Sequence, residues 1–486
     1  MRIGNEGHSP RTAPAGAAQS SAGSQLSSGL KSRHVTMISI AGVIGAGLFV
    51  GSANAIALAG PAVLLAYLTA GLLVVLVMRM LGEMAAATPD SGSFSVYAER
   101  SIGRWAGFSI GWLYWWFWVL VIPLEAIAAG IILNSWVPGV PPWVWALAIT
   151  VGLTVTNLVS VGNYGEFEFW FALLKVAAII GFIGLGLLAV LGLLPGGGAS
   201  GVERLTSEGG FFPNGVGAVP AAMLTTMFTF MGTEIVTIAA AESKNPAKEI
   251  RKATNSVIWR IGIFYIASIF IVVSLVPWNS SRLGEVGSFQ AALEAMGVPY
   301  AKGIIDVVIL VAVASCLNSA LYTASRMMFS LAKRGDAPES LGTVNGQGVP
   351  VRAVLLSTAV GFIATIFNYI APDQVFSTLL ASSGAIALLV YLVIAVSQLR
   401  MRGKLVASGM PMPVRMWAFP YLTWAVVIFI PVVLIYMAVA SDLKLELYST
   451  AVIAAVVVTV GLIVGRRSAR RDALLGSTAN SRSGLV

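Results

Sequence analysis

Apolar runs of about twenty residues, separated by short polar breaks, recur along nearly the whole chain. A helix rising 1.5 Å per residue needs about 20 such residues to cross about 30 Å of hydrocarbon, so the pattern predicts membrane-spanning helices. Twelve are predicted, over 35–57, 61–87, 104–133, 142–161, 166–193, 216–242, 254–277, 301–332, 351–370, 374–398, 417–440 and 447–465. Composition agrees: 57% of the 486 residues are hydrophobic, 10% are charged and the mean hydropathy is +0.85, far from a soluble domain. The expected class is an all-α integral membrane protein. Residues 1–30, rich in Ser, Gly and Ala, read as a disordered cytoplasmic segment without the apolar core of a signal peptide, so helix 1 itself is expected to direct insertion. Residues 467–486 read as a cytoplasmic tail.

The net charge of +9 changes the picture only through its placement. Basic residues crowd the N-terminus, the loops after helices 2, 6, 8 and 10, and the C-terminus; the opposite side receives only Arg204, Arg282, Lys302 and Lys444. By the positive-inside rule both termini are cytoplasmic, at the inner membrane of a cell, and the excess charge expresses topology and attraction to anionic lipid rather than nucleic-acid binding. Arg260 is counted among those loop charges. A single cysteine, Cys316, excludes an internal disulfide, and the only histidines, His8 and His34, lie near the N-terminus. No metal site or cofactor is expected. No nucleophile–base pair, paired catalytic carboxylates or phosphate loop stands at useful spacing, so enzymic chemistry is not expected either.

Helix 1 contains GVIGAGLFVG, four glycines in ten residues. Glycine costs roughly 1 kcal/mol relative to alanine inside a helix, and a spanning segment loses backbone hydrogen bonds only where it faces protein or a water-filled cavity. A break is one reading; close helix packing through the Gly47–Gly51 G-x-x-x-G pair is the other. Helix 6 repeats the theme, with Phe228, Thr229, Met231, Gly232 and Glu234 near its middle and threonines 225, 226, 229, 233 and 237 able to satisfy freed backbone groups. Helices 1 and 6 are five apart, as in two inverted five-helix repeats.

Charges inside apolar runs are costly and therefore informative. Lys175 lies about ten residues into helix 5. Either it snorkels to the cytoplasmic interface, or it is held at depth with a partner or gives up its proton, which makes it a candidate coupling residue. Glu125 of helix 3 is either a functional acid or a cross-helix partner near the outer surface; Glu83 reads as a solvated or paired loop charge. Helix 3 also carries Trp112, Tyr114, Trp115, Trp116, Phe117 and Trp118, which cover every side of the helix, so an interfacial belt accounts for only some of them. Phe117 is a candidate substrate-binding residue of the inward set. Segment 278–300 is expected to hold a small helix as a lid or spacer, Cys316 to pack rather than react, and Ser382, Ser383 and Gly384 to mark a third irregular point, in helix 10.

GVIGAGLFVG followed by AGPAVLLAYLTAGLLVVLVMRMLGEMAAATPDSGSF resembles the amino acid permease signature of the amino acid, polyamine and organocation superfamily. NYGEFEFWFALLK and FMGTEIVTIAAAES extend the likeness to helices 5 and 6. LKSRHVTMISIAGVIGA, IGRWAGFSIGWLYWWFWVLVIPLEA, SCLNSALYTASRMM and SSGAIALLVYLVIAVSQLRMR resemble its bacterial 4-aminobutyrate (GABA) permease branch, and the likeness spans about residues 30–435.

The resemblance implies a LeuT-type fold: five-plus-five inverted repeats (31–200 and 201–400) with helices 1 and 6 broken, plus two further helices (401–466). It implies import of 4-aminobutyrate or a related ω-amino acid by proton symport with alternating access. A permease for aromatic, branched or basic amino acids, or a non-transporting sensor, is the alternative. The substrate carboxylate is expected at Ile44, Gly45, Ala46 and Gly47, where a half-helix offers free N–H groups and a positive dipole end. The amino group is expected near Phe228, Thr229 and Met231. Phe228 matches an aromatic outer gate, and Tyr114 and Glu234 match inner-gate residues. Lys175 matches the helix 5 lysine that replaces a sodium ion, and Glu234 is the second candidate for proton coupling. Ala46 departs from the Ser or Thr common there and leaves the backbone amides to do more of the binding.

Overall fold

A computed structural model describes residues 44–483 apart from 91–92, 160, 195–200, 238–244, 371 and 441–443. The expectations for residues 1–30 and for the part of helix 1 before residue 44 lie outside the described residues, as does the end of helix 6 beyond residue 237. Each of the twelve predicted spans holds a helix. They are α1 (Ser52–Ala59, entered through a π-helical turn, Gly47–Gly51), α2 (Val63–Ala87), α3 (Arg104–Trp136), α4 (Pro142–Val159), α5 (Val161–Val190) and α6 (Ala218–Phe230). The others are α7 (Pro246–Leu275), α8 (Ala301–Lys333), α9 (Val351–Ile370), α10 (Pro372–Ala407), α11 (Tyr421–Ala440) and α12 (Lys444–Ser483). No strand occurs among the described residues.

All twelve are apolar, because lipid and protein interior are equally poor solvents for charge, so burial rather than hydropathy separates core helices from the lipid-facing ring. In α3, the α6 region and α8, 78%, 83% and 72% of the most apolar stretch is buried; in α4, α5, α11 and α12 the figures are 22%, 28%, 28% and 17%. The deep helices form the centre: α3 packs against α4, α8, α9, α10 and α12, and α6 is held between α1, α2 and α10. Isolated apolar side chains on the outer helices, such as Ile428 and Val452, face outward.

Four expectations need correction or sharpening. Helix 10 is continuous through Ser382–Gly384; a Cβ at Gly384 would collide with the Leu224 carbonyl oxygen, so the glycine serves close approach to α6 rather than a break. α12 continues to Ser483, past the basic residues that end the hydropathy signal at 465. Glu83 is fully buried at the end of α2, accepting from Gln398 (2.8 Å), Arg402 (2.5 Å) and the Met416 amide (2.7 Å), so it clamps α10 and the segment leading into α11. The segment at 278–300 forms two helices, Ser281–Val286 and Ser288–Ala295. The second is pinned to α1 by a 2.6 Å Ser52–Ser288 hydroxyl pair and by the Phe289 ring between Phe49 and Phe182.

Candidate functional site

Ile44 is non-helical, Gly45 bends the chain and helical backbone begins at Ala46. The start of a helix leaves N–H groups without intrahelical partners and carries a partial positive charge. Both needs are met here by one side chain from another helix: the Ala46 amide donates to Glu125 Oε1 at 3.2 Å and Oε2 at 3.0 Å. Glu125, 1% exposed, therefore sits against the α1 break and not near the outer surface.

Two residues earlier, the Ile44 carbonyl, which a continuous helix would have used, accepts from Lys175 Nζ at 3.0 Å. Lys175 is fully buried, so it does not snorkel. Seven residues before it, two turns down the same face of α5, Glu168 brings Oε1 to 4.0 Å from the ammonium and accepts from Ser315 Oγ of α8 at 2.5 Å. A chain of charge and hydrogen bonds thus links α8, α5, the α1 break and α3.

The glycines on either side of Ala46 are required by approach. A Cβ at Gly45 would stand 2.5 Å from Glu125 Oε1 and 2.9 Å from Cys316 Sγ; one at Gly47 would stand 2.9 Å from the Phe228 ring and 3.0 Å from Thr229 Cα. The two are what let α3, α8 and α6 close on the break. Gly51 meets only Leu380, at ordinary contact distance.

α6 stops at Phe230. Met231 is extended (ψ 146°), Gly232 takes φ 97°, a conformation side-chain-bearing residues rarely adopt, and helical backbone resumes over 235–237. The Gly232 amide donates to both oxygens of Glu234 (2.9 and 3.1 Å), and Tyr391 donates to Glu234 Oε2 at 3.4 Å. The hydroxyls of Thr229, Thr233 and Thr237 donate to carbonyls of Thr225, Phe230 and Glu234, as the threonine-rich sequence suggests. Arg260 is no loop charge: it is buried in α7 and donates to Thr233 Oγ1 at 2.6 Å.

Between the two breaks lies a narrow space of about 250 Å³, lined by Gly47, Phe117, Trp118, Val121, Glu125, Phe228, Thr229, Met231 and Cys316. Five predicted residues, Gly47, Phe117, Phe228, Thr229 and Met231, line it together; Ile44, Gly45 and Ala46 form the adjoining break. Phe117 bridges Phe228 (6.2 Å between centroids) and Tyr114 (6.4 Å, stacked), which places Tyr114 one layer away. Glu234 lies on the far side of the α6 break and Lys175 behind Ile44. Residue-by-residue reading missed Glu168 and Arg260. The i, i+7 spacing of Glu168 and Lys175 was the available signal for the first.

The amino acid permease family model matches residues 34–474. A probable GABA permease of Pseudomonas aeruginosa is 67% identical over 446 residues, covering 92% of this chain and 94% of that protein. The gamma-aminobutyric acid permease of Escherichia coli is 62% identical over 448 residues, covering 92% and 96%, and an aromatic amino acid transport protein of Corynebacterium glutamicum is 41% identical over 431, covering 88% and 93%. Among solved structures, a manganese transporter of Eremococcus coleocola superposes with a TM-score of 0.59 at 14% identity, covering 90% of this chain and 94% of that one. The last likeness is one of fold, and the fold is the LeuT type.

Proposed function

Since the chain belongs to the amino acid permease family, we propose that it is a secondary transporter importing 4-aminobutyrate or a close ω-amino acid by proton symport with alternating access. It works as a multi-pass protein of the inner membrane with both termini cytoplasmic, its helices grouped as two repeats over 31–200 and 201–400, and it makes and breaks no covalent bond in its substrate. The observation that carries the coupling is the 3.0 Å bond from buried Lys175 to the Ile44 carbonyl. Relatives named GABA permease at 51–67% identity support the substrate.

Substrate carboxylate enters the cradle of Ile44, Gly45, Ala46 and Gly47, and the methylene chain lies against Phe117 and Phe228, with carbonyls at Phe228, Thr229 and Met231 as acceptors for the amino end. Phe228 closes the outer side of the space; Tyr114 and Glu234 form the inner gate. Protonated Lys175 holds the break by its bond to Ile44 and its pairing with Glu168. Loss of the proton removes the charge and a donor, so the two protonation states favour different positions of the α1 break, which is the differential interaction that coupling requires. Glu234 is the second proton-responsive group, at the α6 break.

Uptake of labelled 4-aminobutyrate into proteoliposomes under an imposed pH gradient tests the proposal. Accumulation that follows the gradient supports it; no uptake, or uptake indifferent to the gradient, overturns it. An amino acid competition panel separates 4-aminobutyrate from aromatic, branched or basic substrates, and binding without flux would mark a sensor.

A further inference from the structure

Glu125 already occupies, with a carboxylate of the chain itself, the amide where a substrate carboxylate is expected. Its two oxygens lie 3.0 and 3.2 Å from the Ala46 nitrogen, and one of them would stand 2.5 Å from a Cβ at Gly45. Two carboxylates cannot share one N–H donor in a buried site, because like charges in contact repel strongly there. A substrate carboxylate therefore reaches the Ala46 amide only when Glu125 leaves it.

Resting on the reading of the protein as a 4-aminobutyrate importer, we propose that Glu125 is the specificity-determining anchor of the substrate ammonium, engaged by an exchange of carboxylates. The incoming carboxylate replaces that of Glu125 on the Ala46 amide, bond for bond. The released Glu125 then stands as a buried charge with only the weakly donating Cys316 thiol beside it, an expensive state that a cation on the ligand relieves. The ω-ammonium brings it. Among the described residues Glu125 is the one charged side chain lining the space. The carbonyls of the α6 break are neutral acceptors, and the neighbouring cation, Lys175, bonds the Ile44 carbonyl and stands 4.0 Å from Glu168.

The lining suits this division. Phe117, Val121 and Glu125 follow one another at i, i+4 and i+8 on one face of α3, with Trp118 beside them. The ionic end of the substrate thus meets a carboxylate, while its methylenes meet rings and a valine. A ligand with a carboxylate but no ammonium leaves Glu125 displaced and uncompensated, so the exchange rejects simple monocarboxylates as a consequence of binding itself.

The test uses full-length protein in proteoliposomes and compares two competitors of labelled 4-aminobutyrate uptake: unlabelled 4-aminobutyrate and 4-hydroxybutyrate, which has the same chain and a neutral end. Wild type prefers the first; in Glu125→Gln that preference falls by about tenfold or more, the scale of a hydrogen bond to a charged group. Glu125→Asp, which keeps the charge, retains the preference at reduced affinity. An equal loss of affinity for both ligands in Glu125→Gln, with their ratio unchanged, overturns the proposal and leaves Glu125 a structural cap of α1. Should Glu125→Gln fail to fold, Glu125→Asp decides: withdrawal of the carboxylate by one methylene shifts the preference from 4-aminobutyrate toward the longer 5-aminovalerate, and an unshifted preference overturns the proposal. Absence of 4-aminobutyrate uptake in wild type is instead a failure of the proposed substrate. The amino acid that the panel then identifies, paired with its des-amino analogue, reads Glu125 in the same way.

Discussion

The breaks in α1 and α6 solve one physical problem, backbone groups without helical partners inside a membrane, with opposite wiring. At α6 the repair of the backbone is local: the Gly232 amide bonds Glu234 two residues on, and Thr229, Thr233 and Thr237 donate to carbonyls three or four residues back, while the remote Tyr391 and Arg260 bond the side chains of Glu234 and Thr233. At α1 it comes from far along the chain, with Glu125 of α3, 79 residues away, on the Ala46 amide and Lys175 of α5, 131 residues away, on the Ile44 carbonyl. A locally repaired break moves as a unit. A break held by ionisable groups on other helices moves only when those contacts change, which suits α1 to sense both proton and substrate.

The largest expected effect comes from removing the remote cation. Lys175→Ala leaves Glu168 buried without its partner, a loss of about 3–5 kcal/mol when one half of a buried pair goes. Proton-driven accumulation should vanish, while exchange across the membrane persists at a level reduced by about tenfold, within the usual range of coupling free energies. Accumulation ratios under an imposed pH gradient, set beside counterflow, measure both. Intact accumulation would mean that Lys175 only packs, and the contrast between the breaks would lose its functional meaning.

Next in size are the glycines that let remote groups reach α1. Gly47→Val drives a branched side chain into the Phe228 ring and Thr229 backbone, and overpacking of this kind costs about 1–3 kcal/mol. Substrate binding should weaken about tenfold or more in an equilibrium assay. Unaltered affinity would favour the helix-packing reading of the glycines.

The α6 break gives a smaller, different response. Glu234→Ala leaves the Gly232 amide without its acceptor, about 1–3 kcal/mol of stability, whereas Glu234→Gln keeps an acceptor and should cost less than half of that. Thermal unfolding in detergent reads the loss. Transport should slow, with accumulation reduced but still following the gradient, as befits the second proton-responsive group. If Glu234→Ala uncouples as fully as Lys175→Ala, the α6 break is under as much proton control as the α1 break and the contrast between them fails.

What could be read in advance follows the same division. Spanning helices are legible because the bilayer forces an apolar run of fixed length, and glycine breaks because few other residues tolerate them. Long-range partners are not: within NYGEFEFWFALLK the spacing of seven to Lys175 sets Glu168 apart from Glu166, but whether that face turns into the bundle, to meet Ser315, depends on helix rotation. Arg260 is counted with the loop charges although the predicted span 254–277 contains it, because charge near a helix start is read as interfacial; Pro246 after the Asn245 cap opens α7 about two turns earlier and carries the arginine inward to Thr233. The end of α12 escapes for the complementary reason: Arg466 to Arg471 leave the hydrocarbon but are good helix formers mixed with alanine, so the helix outlasts its hydropathy.

The smallest effect is expected at Ala46 itself. Ala46→Ser adds a hydroxyl donor beside the amide that Glu125 holds. A donor that met only substrate would tighten binding by about 0.5–1.5 kcal/mol, up to about tenfold. Here the same hydroxyl faces two competing carboxylates, that of Glu125 in the empty site and that of the substrate after exchange, and it stabilises both. The two gains cancel, so affinity for 4-aminobutyrate should change by less than about threefold, a free-energy difference below about 0.7 kcal/mol. In the Glu125→Gln background the competitor in the empty site carries no charge, so the hydroxyl favours substrate and the gain should reappear. Competition curves for the two single variants and the double variant measure that coupling. Additive effects would show that Ala46 and Glu125 act on different states, and that the α1 cradle is not contested.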